Sequence, residues 1–195
     1  MPRRLFLAFW LVFVAAAPVW ATTVLPLYLD DIIGQATIAF QGRCVANQSV
    51  RDPQTGLAAT LTTFQVDDVL KGDVPATYTI KQVGGELPQE RLHFKVPGVP
   101  SFTVGESYVV FLAGVSDKGF SSPIGLEQGK FTVLPGAQEP EVANGRDFRE
   151  MTAHLPAGSL PPTTKSRMRQ APGPVRRMGL QEFKQLVRQQ VAAGQ

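Results

Sequence analysis

Residues 37–70 read TIAFQGRCVANQSVRDPQTGLAATLTTFQVDDVL, and this stretch decides the fold. Residues 37–45 carry the β-branched and aromatic residues that favour a pleated strand. Residues 57–70 do the same, with clear alternation through Thr62-Thr63-Phe64-Gln65-Val66-Asp67. Between them lies Asp52-Pro53-Gln54-Thr55-Gly56. Pro presets one turn dihedral and Gly tolerates a positive φ, so this segment reverses the chain. Two strands around a five-residue loop containing Gly predict a long antiparallel hairpin.

The same reading extends in both directions. Upstream, Leu29, Ile32 and Ile33 recur at helical spacing within residues 25–35. Asp30 and Asp31 lie in the early part of that helix, where carboxylates suit its positive end, and Gly34 marks its end. Downstream, the Lys71-Gly72-Asp73-Val74-Pro75 corner precedes a third strand over 77–83, which Gly84-Gly85 ends. A short edge strand follows over 91–96. Residues 107–112, Ser-Tyr-Val-Val-Phe-Leu, are apolar without alternation and predict a strand buried on both faces. A last strand pair is expected through residues 124–126 and 130–134.

Three of these segments, taken in order, resemble a known family. A strand leads to a Gly in Ala36-Thr37-Ile38-Ala39-Phe40-Gln41-Gly42-Arg43. A second ends in a Lys-Gly corner in residues 64–72, and a Gly turn enters the buried strand at Gly105-Glu106-Ser107-Tyr108. Over residues 25–134 this order resembles the netrin-like modules, the OB-fold barrels of the tissue inhibitors of metalloproteinases, and similar uncharacterised exported bacterial proteins. The resemblance implies a mainly β fold: a small OB-like β-barrel with a short N-terminal helix, followed here by a C-terminal amphipathic helix. It also raises protease inhibition as an alternative function. Those inhibitors ligate the protease zinc through a free N-terminal Cys. Here the expected mature end is Thr22-Thr23, so the resemblance transfers no functional residue.

Residues 1–21 read as a secretory signal peptide. Arg3 and Arg4 supply its charge, residues 5–14 its short apolar run, and Val19 and Ala21 the small residues before a cut. Ala17 offers a second cleavage site. The expected address is periplasmic or extracellular, with no integral membrane span after cleavage. Cys44 is the single cysteine, so no disulfide can form within the chain, a pattern that favours a bacterial source. Charge is divided unevenly. Residues 22–150 hold 15 acidic against 10 basic residues, net −5, whereas residues 151–195 hold 7 basic and one acidic, net +6. The body is acidic, and its aromatics fall within strands, so nucleic-acid binding is not expected.

No motif in the chain carries chemistry. His93 and His154 have no HExxH pattern or Cys partner, and no metal site or cofactor is expected. Ser107, Ser121 and Ser122 flank turns, where hydroxyls bond local backbone. Asp67 and Asp68 are neighbours on a strand and point to opposite faces, so they read as solvated surface acids.

The domain order is therefore a signal at 1–21, a β-barrel domain at 22–135, a Pro-rich basic linker at 136–178 and a helix at 179–195. Leu180, Phe183, Val187 and Val191 form its apolar stripe, with Lys184 and Arg188 off it. Two roles remain open for this tail. It can dock on the barrel, or reach an envelope protein or anionic surface through Arg167, Arg169, Arg176, Arg177, Phe183 and Val187. The functional expectation is an exported, non-catalytic binding module.

Overall fold

A computed structural model describes residues 25–194; the signal peptide read at 1–21 lies outside the described residues. The chain is mainly β. Helix α1 (Leu29–Gln35) leads into the hairpin of β1 (Ile38–Arg51) and β2 (Ala58–Lys71), followed by β3 (Thr77–Val83). Strands β4 (Gly85–Leu87) and β5 (Leu92–Phe94) form a small separate hairpin. Then come β6 (Ser107–Leu112), β7 (Lys130–Leu134), β8 (Glu141–Ala143), α2 (Phe148–Met151), α3 (Pro162–Gln170), β9 (Met178–Gly179) and α4 (Leu180–Ala193).

The main sheet is antiparallel throughout, in the order β3-β2-β1-β6-β7-β8-β9. The sheet is not closed into the expected OB-like barrel: β3 and β9 are its two edges. β1 is shared between two partners. Its first half pairs with β6 from Ile38 to Arg43, while its second half continues with β2 alone. Gly42 lies in the paired half, where a Cβ would sit 2.7 Å from the Gln65 carbonyl oxygen.

β6 runs through the middle of the sheet, and its unbroken apolar run now has a reason. Val109 and Phe111 face a core made with the helices, while Tyr108, Val110 and Leu112 face a second, aromatic core with Phe40, Phe64 and Phe102. In the aromatic core, Phe102 stands edge-on to Phe64 and to Tyr108, with ring centroids 5.0 Å and 5.1 Å apart. The hairpin turn is fixed by Asp52. Its carboxylate accepts from the Thr55 backbone N–H (2.9 Å), the Thr55 hydroxyl (2.8 Å) and Lys81 Nζ (2.6 Å). The Lys81 hydrogen bond, followed by those from Thr55, lowers the Asp52 pKa to about 2.

The segment 136–178 corrects the reading of an extended linker. It contributes β8, α2 and α3, and it buries Val142, Phe148, Met151, Met168 and Met178 in the helical-side core. Each is an isolated apolar residue among prolines and arginines, so composition averaged over the segment hides them. Asp147 organises this region: it caps α2 by accepting from the Arg149 N–H and also accepts from the Val175 N–H, each at 3.0 Å.

Candidate functional site

A register shift in β1 builds a concave site on the sheet. Cys44 faces Phe64 across the ladder, and a bulge then intervenes between Cys44 and Ala46. One extra residue moves every later side chain to the opposite face. Asn47 and Ser49 therefore join the face of Cys44, opposite Thr62 and Thr60. In β3, Tyr78, Ile80 and Gln82 continue the three rows, paired with Phe64, Thr62 and Thr60. Along the hairpin the inner face changes from apolar (Cys44, Phe64, Tyr78) to mixed (Asn47, Thr62, Ile80) to polar (Ser49, Thr60, Gln82).

The β4–β5 hairpin lies across the polar rows, and two glycines permit this approach. A Cβ on Gly85 would stand 3.0 Å from both the Ser49 and Thr60 hydroxyl oxygens. One on Gly84, whose φ is +106°, would stand 3.0 Å from the Phe94 carbonyl oxygen. Between the sheet face, this hairpin and the segment 95–102 remains a cleft of about 300 Å³. That is at the lower end of the volume range for small-molecule sites. Phe94, Val96, Val99 and Phe102 supply its apolar wall, and His93, Lys95 and Glu86 stand at its border.

Most polar groups on the floor are engaged. Thr62 Oγ1 donates to Asn47 Oδ1 (2.8 Å), and Asn47 Nδ2 donates to the Phe102 carbonyl (2.6 Å), which ties the floor to the wall. Thr60 Oγ1 donates to the Gly84 carbonyl (2.7 Å), and Ser49 Oγ accepts from the Glu86 N–H (3.2 Å). Gln82 is the exception. It is 3% exposed, yet its Nε2 has no hydrogen-bond partner. No protein group among the described residues therefore pairs this buried donor at the floor of the cleft. At the border, His93 Nδ1 lies 3.0 Å from Glu86 Oε1, and both side chains are largely exposed.

Cys44 lies behind this floor, fully buried. Burial raises its thiol pKa, against a weaker lowering contact with the Ala46 carbonyl. It is a packing residue, as the strand reading expects. His154 stacks on Tyr28 with ring centroids 3.5 Å apart, far in sequence from His93. Among the described residues, no three His, Cys, Asp or Glu side chains converge on one point.

The residues proposed for partner binding divide into two groups. Phe183 and Val187 are fully buried in the protein's own core, which removes them as partner contacts. Phe183 packs against Phe131, Phe148 and Phe111, with centroids 4.7, 6.0 and 6.2 Å away. The arginines lie at the surface: Arg167 pairs with Glu182 (3.0 Å) and Arg177 with Glu141 (3.5 Å), while Arg169 and Arg176 are exposed.

Asp68 also departs from its reading as a solvated acid. Lys184 and Arg188, expected off the stripe, both reach it, at 2.5 and 2.6 Å, and Lys184 Nζ also donates to Gln41 Oε1 at 3.1 Å. Burial pushes the Asp68 carboxyl up, but hydrogen bonds from these two cations outweigh it and hold the carboxyl below its ordinary range. The tail is thus a docked structural element. Among the described residues no helix is long and apolar enough to cross a membrane. No family model matches the chain, and no curated protein matches it at a significant level.

Proposed function

We propose that this chain is an exported, non-catalytic binding module whose ligand occupies the cleft between the inner face of the β1–β2–β3 sheet and the β4–β5 hairpin. The observation that carries this reading is Gln82, a buried amide without a partner at the floor of a concave site. Natural folds pair such groups, and an exception calls for an explanation such as a missing ligand. The hydroxyls of the cleft bond amide and backbone groups rather than an imidazole, an arrangement that suits holding a ligand better than attacking one. Export rests on the charged, apolar and small-residue sequence of residues 1–21.

A fragment screen tests the proposal. The ¹⁵N-labelled chain beginning at Thr22 is titrated with small polar compounds, and backbone amide shifts are recorded. The reading expects hits that perturb residues 47–49, 60–62, 82–86 and 93–102 together. A screen whose hits all map elsewhere overturns it, as does turnover of any compound in a hydrolase panel.

A further inference from the structure

The hydrogen bonds of the cleft also specify what the ligand must offer. In the polar rows, Asn47 Oδ1 accepts from Thr62, the Gly84 carbonyl from Thr60, the Phe102 carbonyl from Asn47, and Ser49 Oγ from the Glu86 N–H. These four acceptors are thereby engaged. The buried group left over is a donor, the Gln82 Nε2 amide. At the border, the Glu86 carboxylate is turned to His93, while Lys95 forms no ion pair among the described residues and adds a second, charged donor to the lining. Phe94, Val96, Val99 and Phe102 supply apolar surface to the remaining wall.

We infer that the ligand is a carboxylate on an apolar body, either a small organic acid or the free C-terminus of a peptide. One carboxylate oxygen accepts from Gln82 Nε2, and the charge is balanced by Lys95. The apolar body lies against the Phe94–Phe102 wall. This inference rests on the binding-module reading above. A carboxylate suits the site for two reasons. It accepts without donating, which matches an unpaired donor, and hydrogen bonds to an ionised acceptor are about twice as strong as neutral ones. A neutral amide of the same shape would carry no charge for Lys95 to meet and would accept a weaker, neutral hydrogen bond from Gln82.

The experiment uses three probes on the chain beginning at Thr22: N-acetylphenylalanine, its primary amide, and acetyl-Ala-Ala-Phe with a free carboxylate. Side-chain ¹⁵NH₂ signals of Gln82 are identified by their loss in Gln82→Met. The expected result is that both acids shift these signals and that the amide binds at least about ten-fold more weakly, the worth of one charge-assisted hydrogen bond. Gln82→Met and Lys95→Met should each weaken the acids about ten-fold. Gln82→Met should retain or raise the melting temperature, because it removes an unpaired buried group. Tighter binding of the tripeptide than of the single residue assigns the site to peptide C-termini, and equal binding assigns it to small acids. Equal binding of acid and amide overturns the carboxylate inference, as does unchanged acid binding in Gln82→Met. If neutral or cationic fragments perturb the cleft while no acid does, the inference falls and the binding-module reading stands. If no compound perturbs the cleft, both fall.

Discussion

Replacing Phe183 by Ala should unfold the protein at a temperature lower by roughly 6–20 °C. The side chain is fully buried and lies at the meeting point of three other rings, Phe111, Phe131 and Phe148. Truncating a buried Phe costs about 3–5 kcal/mol. Aromatic pairs at these spacings add about 0.5–1.5 kcal/mol each beyond area burial, which points to the upper part of that range. A single domain holds about 5–15 kcal/mol in total, and for this chain length each kcal/mol moves the melting point by about 2–4 °C. Thermal and urea unfolding of the chain beginning at Thr22, followed by circular dichroism, measures the effect. Phe183→Leu keeps most of the volume and should cost less than about 1.5 kcal/mol. If α4 were instead a partner-binding helix resting loosely on the sheet, Phe183→Ala would leave the melting point within about 2 °C of the parent. That outcome would refute the packing argument and restore Phe183 and Val187 as partner contacts.

Two other consequences can be measured. The Asp52 carboxyl is held at about 2 in the folded chain by Lys81 and Thr55, below its ordinary 3.8. Its contribution to stability is therefore fully present above the ordinary value and is lost as pH falls from about 4 toward 2. Asp52→Asn should flatten the fall in stability across that window, whereas acid-denaturation curves of parent and variant running parallel between pH 4 and 2 would exclude the assignment. Cys44 is fully buried with its thiol pKa raised by burial. Ellman's reagent should leave it unmodified in native buffer and titrate one thiol in denaturant, and rapid reaction of the folded protein would contradict the burial.

The regular elements were legible where local signals agree. The strands at Thr77–Val83, Ser107–Leu112 and Lys130–Leu134 and the helix at Leu180–Ala193 match the sequence reading, because β-branched runs, Gly breaks and helical periodicity point the same way there. Strands β8 and β9 escaped because they are three and two residues long and are held only by pairing with distant partners. Lys184 was misplaced because its charge outweighed its position. It is buried beside Phe183, a place it can hold only because Asp68, 116 positions earlier in the chain, meets its ammonium group. The cleft was hidden by the bulge in β1, since simple alternation puts Asn47 and Ser49 on the wrong face. One signal was present: Thr60, Thr62 and Phe64 occupy alternate positions on β2, so two hydroxyls share the inward side of a core phenylalanine.

The helical-side core joins Leu29, Ile32 and Ile33 to Leu180, Phe183, Leu186 and Val187, and Lys184 meets Gln41 across 143 positions. During synthesis from the first residue onward, this half of the protein has nothing to close it until residues 180–187 have left the ribosome. The hairpin can form early, but its helical face stays uncovered through most of translation. Closure of the helical-side core therefore waits on the docked tail. The cost is a long interval in which an uncovered apolar sheet face must be kept from aggregating.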